Sequence, residues 1–173
     1  IAAYLYWAGS GTGDFEVELN GSPIEAERQF TFNFDSQGTN YEYFGAMAEV
    51  TELLDRSGTT DYLFSGLDLA DVIESFCINA TNFGGWSVTV VYEDLSLPLN
   101  QVAIFDGFES VSGGNTTLDI ELNNLDVLDN IGAKIGFLAW EGDSGLAVEE
   151  TLRINGAILS NPPLNPANNA FNG

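Results

Sequence analysis

Carboxylates are the side chains of this sequence that could do chemistry. The chain contains 26 Asp and Glu residues, no His and one cysteine, Cys77, whose neighbours Phe76 and Ile78 indicate a buried thiol. The usual zinc sites, Ser-His-Asp triads and Cys-His pairs need His or several thiols, so this composition excludes them. What remains is carboxylate chemistry, which means cation binding or acid-base catalysis on a sugar.

Three acidic pairs lie beside glycines or at the ends of predicted strands. Calcium takes about six to eight oxygen ligands, mainly from carboxylates and loop carbonyls, which such loops can supply. None of the pairs lies in an EF-hand loop or a Gly-rich calcium repeat, so solvated loop acids are the alternative. Calcium is the cofactor that the sequence favours, and its six candidate ligands are Asp68 and Asp71, Asp106 and Glu109, and Glu141 and Asp143.

Two of these pairs also have the composition of a glycosidase site. A glycoside hydrolase needs two carboxyl groups about 5–10 Å apart in a cleft. Asp106 with Glu109, or Glu141 with Asp143, could supply them, but among 26 carboxylates such pairs arise by chance. The sequence therefore favours a protein that is not an enzyme, and glycoside hydrolysis is the third hypothesis.

Aromatic side chains offer a second kind of binding site. Tyr41, Tyr43 and Phe44 lie in a polar segment and are expected to be exposed, where they could stack on a sugar. Trp86 and Trp140 adjoin apolar runs and are expected to lie in the core. Combined with the candidate calcium ligands, the exposed rings give the second hypothesis, a calcium-dependent carbohydrate-binding module.

The charge of the chain limits its partners. Only 4 Lys and Arg face the 26 acidic residues, which gives a formal net charge of -22. Such a surface repels nucleic acid and anionic lipid at ordinary salt. In addition, no apolar run approaches the roughly 20 residues that a membrane-spanning helix needs. We expect cations, neutral glycans or other protein surfaces as partners, with no nucleic acid and no membrane insertion.

The composition predicts a folded, all-β protein. Hydrophobic residues make up 45% of the chain, and its 12 Phe, 6 Tyr and 19 Gly suit strands joined by tight turns. We predict an antiparallel two-sheet sandwich, jelly-roll-like, with one or two short helices. One domain covers residues 1–173, of which 161–173 form a Pro/Asn-rich terminal extension.

Local patterns place several of the elements. Asn20-Gly21 and Asn155-Gly156 predict tight hairpins, because type I′ turns need positive φ at both central residues. The segment 84–92 is apolar on both faces over most of its length, which predicts a central strand. A spacing of about 3.6 residues between Met47, Val50 and the following leucines predicts one short helix or helical turn within 43–56. Further strands are predicted at 101–106, 116–122, 132–140 and 150–154.

The N-terminal segment has the pattern of a strand that is already under way at the first residue. Such a strand can complete an open sheet edge of a neighbouring copy through main-chain hydrogen bonds. We therefore predict self-association through strand pairing, with Ile1, Ala3 and Leu5 as the assembly residues.

Several motifs, taken in order along the chain, resemble a known domain. The chain is similar to the DUF3344-like β-domain of large secreted bacterial surface proteins, which often carry DUF11-type repeats. The resemblance implies export, a β-sandwich, and a role in adhesion or in an extracellular layer or fibre, and it supplies no catalytic residues. The leading hypothesis is thus a non-enzymatic extracellular structural or adhesive module. The motifs are YLYWAG at 4–9, YFG at 43–45, AEVT at 48–51, GWSVTVVYE at 85–93, IFDGF at 104–108 and AWEGD at 139–143.

Overall fold

The structure is a computed structural model that describes residues 2–54, 61–112, 114–127, 131–145 and 149–171. It divides into two compact units, Ile1–Ala133 and Lys134–Gly173. Antiparallel strands dominate and helix is scarce, so the predicted all-β fold is confirmed. Among the described residues, the strands are β1 Ala2–Ser10, β2 Glu16–Leu19, β3 Ser22–Glu25, β4 Arg28–Ser36, β5 Thr39–Glu49, β6 Phe64–Ser65, β7 Gly84–Val91, β8 Leu152–Ile154 and β9 Ala157–Leu159.

Two sheets make up the first unit. The larger sheet has the strand order β4-β5-β1-β7 and the smaller sheet has the order β3-β2-β6, and every pairing is antiparallel. The short helix α1 spans Ile73–Phe76, and 3-10 helices span Thr51–Leu53 and Cys77–Asn79. No helix in the described part of the chain is long and apolar enough to span a membrane.

The hairpin turns follow the Asn-Gly pattern. Asn20 and Gly21 join β2 to β3 with φ values of 53° and 76°, and Asn155 and Gly156 join β8 to β9 with 48° and 81°. Both predicted hairpins are therefore confirmed. A third turn of the same kind, Gln37-Gly38, joins β4 to β5 and was not predicted, because Gln is not typical of a left-handed position.

The main core lies between the two sheets. Alternate residues of β1, among them Leu5 and Trp7, point to the smaller sheet and are fully buried with Leu19 and Phe44. The indole Nε1 of Trp7 donates a hydrogen bond to the carbonyl of Asp14 at 2.8 Å, which satisfies its polar atom inside the core.

A second, aromatic cluster covers the opposite face of the larger sheet. Tyr41 and Tyr43 of β5 each meet the ring of Phe76 edge-on, with ring centroids 5.3 Å apart. Because Phe44 packs into the main core, β5 is buried on both faces. Of the segment 43–56, which was predicted to hold a short helix or helical turn, only Thr51–Leu53 is helical, because residues 43–49 belong to β5. A strand buried on both faces loses the alternation that marks a strand in sequence.

Several other predictions about burial and strands are also wrong. Segment 84–92 forms β7, an edge strand rather than a central one, and Trp86 on it is 41% exposed. Cys77 is exposed as well. The described residues within 101–106, 116–122 and 132–140 form no strand. Their apolar side chains are largely exposed, since no neighbouring strand pairs with these segments in the described part of the chain.

The second unit is built on the hairpin of β8 and β9. A parallel bridge joins Glu150 to Asn169, and an antiparallel bridge joins Asn161 to Asn165. Asn169 and Ala170 are buried. The segment predicted as a terminal extension therefore contributes to the packing of this unit.

The two tryptophans that face each other across β1 and β7 test the position of the core. Replacing Trp7 by Ala should lower the free energy of unfolding by about 3–5 kcal/mol, since it empties a fully buried site. Trp86 is the matched control. It is directly opposite Trp7 and stacks on Phe64 but is 41% exposed, so Trp86→Ala should cost less, about 2 kcal/mol. Urea denaturation measures the free energy of unfolding of both variants. Equal losses of stability would contradict a core centred on Trp7.

Candidate functional site

The edges of the larger sheet are the first candidate site. β1 pairs with β5 on one side and with β7 on the other, so both of its edges are occupied within the chain. Ala3 and Leu5, predicted to pair with a neighbouring copy, are fully buried in this central strand. Ile1 lies outside the described residues. The edges of this sheet are instead β4 and β7.

The central part of each edge strand lacks the features that usually prevent strands from pairing between molecules. Natural edge strands are often protected by charged side chains, especially Lys, or by Pro. In β4, residues 29–34 are Gln-Phe-Thr-Phe-Asn-Phe, and β7 runs Gly-Gly-Trp-Ser-Val-Thr-Val-Val. Both stretches lack charge and Pro. These edges can therefore accept a further strand.

The directions of the two edges are complementary. β4 and β1 both run antiparallel to β5, whereas β7 runs antiparallel to β1, so β4 and β7 point in opposite directions. Their lengths are similar, at 9 and 8 residues. A β7 strand placed beside the β4 strand of a second copy would continue the antiparallel order of the sheet.

The outer face of the larger sheet holds one predicted metal ligand, Asp106. Its carboxylate forms an ion pair with Arg28 at 2.5 Å, and the Arg28 guanidinium lies 5.1 Å from the centre of the Phe30 ring. Partial burial raises the pKa of Tyr6 on this face, and the nearby Asp106 raises it further. The carboxylate of Asp106 is thus engaged by a cation of the chain itself, while Glu109 is exposed.

Of the pair Asp68 and Asp71, Asp68 is held by hydrogen bonds to Ala70 and Asp14. Oδ1 of Asp68 accepts a bond from the Ala70 backbone N–H at 3.0 Å, and the Asp68 N–H donates to Oδ2 of Asp14 at 2.7 Å. Asp71 is exposed. Within the described residues, no three His, Cys, Asp or Glu side chains are grouped to hold a metal ion. None of the three predicted pairs is therefore part of such a group among the described residues.

The predicted sugar-stacking residues lie in β5 rather than in a loop. Tyr41 and Tyr43 are each 7% exposed and Phe44 is 0% exposed, so the expectation of exposed rings is wrong. The Tyr43 hydroxyl donates to Oγ1 of Thr81 at 2.7 Å. All three rings fill the cluster and the core described above, because β5 has packed elements on both faces.

A surface groove of about 390 Å³ nevertheless opens at the start of β5, next to Tyr41. Its volume is within the range of small-molecule sites, about 300–1,000 Å³. Its lining combines polar groups with the aromatic residues Tyr41 and Phe76, and the polar groups include Thr12, Asn40, Glu42 and Ser75. Apart from Tyr41, none of these residues was predicted as a site, because the sequence does not reveal that α1 packs beside the start of β5.

The third candidate is an acidic loop in the second unit. Partial desolvation raises the pKa of Glu141, and the nearby carboxylates of Asp143 and then Glu150 raise it further. Glu141 also has a left-handed backbone, with φ 61°. Glu141 and Asp143 were predicted as metal ligands. Glu150 was not, because it belongs to a different stretch of sequence that the fold brings to the same loop.

No known protein family, curated protein or solved structure matches this chain. The resemblance to a DUF3344-like surface domain stays a prediction that rests on the motifs alone. The roles of the residues must be argued from the geometry and the charge of the chain itself.

Proposed function

We propose that this chain is a non-enzymatic structural module of an extracellular filament or layer, in which β7 of one copy pairs with β4 of the next. The observation that carries the proposal is a pair of edge strands that are similar in length, opposite in direction and uncharged over residues 29–34 of β4 and throughout β7. Because β4 and β7 are different surfaces, this contact is heterologous. Heterologous contacts that do not close into a ring give open-ended assemblies.

Main-chain hydrogen bonds would supply most of the attraction at this contact. Apolar side chains add to it. Trp86 and Val90 of β7 are both well exposed, and the Phe residues at 30, 32 and 34 of β4 are partly exposed. A neighbouring strand would remove part of this apolar surface from water, which is worth roughly 25 cal/mol per Å² before the costs of association.

The net charge of -22 opposes assembly at low salt, because every copy repels every other copy. At about 0.15 M salt the screening length is about 8 Å, so repulsion between distant surface charges is largely removed while contacts at the uncharged edges are unaffected. A saline environment outside the cell therefore suits this module. The export implied by the resemblance to secreted surface domains points the same way.

Lysine substitutions on the β4 edge test this contact. Thr31 and Asn33 are exposed residues of β4. The double variant Thr31→Lys, Asn33→Lys should be monomeric by light scattering, whereas the wild-type mass should rise with concentration. The result is diagnostic because the added lysines reduce the net negative charge, which by itself would favour association.

The matched control is Thr117→Lys, Asn123→Lys, which adds the same charge at exposed residues outside the strands and should assemble as the wild type does. Thr89→Lys, on β7, should block assembly as well.

A mixture of the β4 and β7 variants should then give a one-to-one pair, because each retains the edge that the other lacks. A wild-type chain that stays monomeric at its highest soluble concentration would refute the proposal. If the β4 variant blocks assembly and the β7 variant does not, the contact is a symmetric dimer through β4 of both copies and the proposed β7–β4 contact is wrong.

The groove beside Tyr41 favours a second candidate function, the binding of a neutral glycan. Its hydroxyl groups, the amide of Asn40 and the carboxylate of Glu42 could bind sugar hydroxyls, and its aromatic residues could contact a sugar face. The function is the same as in the carbohydrate-binding hypothesis, but the proposed site is this groove and not a set of exposed rings. A single carboxylate lines the groove, so its dependence on calcium is a separate question.

A glycan array followed by titration of any ligand found tests this second function. Glu42→Gln should weaken binding about tenfold, the loss expected for one charge-assisted hydrogen bond. Glu93→Gln, which changes an exposed carboxylate elsewhere in the first unit, should leave the affinity unchanged. Loss of binding in chelator would assign calcium dependence. A silent array, or equal affinities for the two variants, would exclude the groove as a glycan site.

A further inference from the structure

Two stretches of the first unit that the sequence predicts as strands, 101–106 and 116–122, lie on either side of a hairpin contact. Ser112 and Asn115 exchange two main-chain hydrogen bonds, of 2.8 and 3.0 Å, and form an antiparallel bridge. Two glycines separate them in the sequence, and Gly-Gly is a favoured pair for a two-residue hairpin loop. The stretches before and after this contact therefore leave it as antiparallel neighbours.

A second contact fixes the register of these stretches at their far end. The main-chain N–H of Asp126 donates to Oε1 of Gln101 at 3.2 Å. Gln101 lies eleven residues before Ser112, and Asp126 lies eleven residues after Asn115. Both contacts thus agree on one antiparallel register. Between them, the described residues of both stretches form no strand. The stretches are aligned at both ends but are not paired along their length.

The stretch before the hairpin contact lies against the outer face of the larger sheet. Its alternate residues from 106 to 112 are half-buried, and the residues between them are exposed. The Phe108 ring packs against Gly45 of β5, where a methyl group would lie 3.0 Å from it, and Asp106 forms its ion pair with Arg28 of β4. A burial period of two is the pattern of a strand with one face on the protein. This stretch is therefore already placed as a strand that lacks a partner.

The charges of the two stretches oppose their pairing. In the register described above, Glu121 is directly opposite Asp106. Like charges directly opposite each other destabilise a pair of strands. Residues 101–126 contain no Lys or Arg, and the ion pair with Arg28 compensates only one of the two carboxylates. The hydroxyl group of Tyr6, which also lies near Asp106, supplies no positive charge.

We propose that residues 101–126 are a β-hairpin poised to close, and that the facing carboxylates of Asp106 and Glu121 hold it open. In the closed form, Phe105 is paired with Leu122, and the two main chains bond to each other along their inner edges. In the open form, the same main-chain groups can pair with a strand of another molecule. The hairpin is thus a conformational device that governs access to these groups. It is separate from the contact between β4 and β7.

An engineered disulfide bond tests the register. Gly107→Cys and Ile120→Cys place two thiols directly opposite each other, and Cys77→Ser removes the exposed native thiol. Position 107 has open space around an added side chain, and Ile120 is 68% exposed, so neither change should disturb the fold. Facing residues of antiparallel strands are about 4.5–5.5 Å apart between Cα atoms, which suits a disulfide. Oxidised glutathione should therefore convert both thiols of the dilute, monomeric protein into an internal disulfide.

The control combines Gly107→Cys with Thr117→Cys in the same Cys77→Ser protein. Thr117 is three residues out of register and on the opposite face of the hairpin, so this pair should oxidise at least tenfold more slowly. Equal rates for the two pairs, or no internal disulfide in either, would overturn the proposal. Because the protein is monomeric in these measurements, their outcome does not depend on assembly through β4 and β7.

Glu121→Gln tests the role of the facing charges. It should raise the rate of disulfide formation between positions 107 and 120 by about two- to fivefold, the factor that one pair of facing like charges corresponds to. Without the added cysteines, it should slow hydrogen exchange of the main-chain amides within 101–112 by a similar factor. The matched control Glu109→Gln removes the same charge at an exposed residue opposite Leu118 and should change neither rate. Equal effects of the two variants would show that the facing carboxylates do not hold the hairpin open.

Discussion

The double pairing of β1 is the constraint on which the rest of the first unit depends. This strand lies between β5 and β7, and its inward residues Leu5 and Trp7 are part of the main core. Once β1 is in the centre, β4 and β7 must be the edges of the four-strand sheet. The arrangement also fixes small contacts. Gly9 and Gly84 pair across β1 and β7, and the side chain of Leu69 packs against both, so a methyl group at either would collide with it.

Acidic residues are frequent in this chain, yet they are kept away from the two edges. β2 and β3 of the smaller sheet carry Glu16, Glu18 and Glu25, while β7 carries no charge and β4 is charged only at Arg28 and near its end at Asp35. A chain that used its charge only for solubility would be expected to protect its edges first. The separation of acidic surface from uncharged edge is consistent with contact between copies that is directed to particular strands and controlled by salt.

What the sequence could predict depended on the range of the interaction. The hairpins at Asn20-Gly21 and Asn155-Gly156 were predictable because two adjacent residues determine the turn. The segment predicted to hold a short helix or helical turn overlapped the second half of β5, because the burial of this strand on both faces depends on α1 and on the smaller sheet, neither of which is local. The sequence predicted only part of the acidic loop of the second unit. Glu141 and Asp143 are visible as a pair, but the proximity of Glu150 arises from the tertiary structure.

The central position of β1 also determines the order in which the chain can fold during synthesis. β1 is synthesised before both of its partners, which are β5 at residues 39–49 and β7 at residues 84–91. Neither side of the strand can be closed until those segments have emerged, and pairings so distant in sequence form slowly. Throughout that interval the apolar residues of β1 are unprotected. The larger sheet therefore cannot be completed until β7 has been synthesised, although the β2–β3 and β4–β5 hairpins can form earlier.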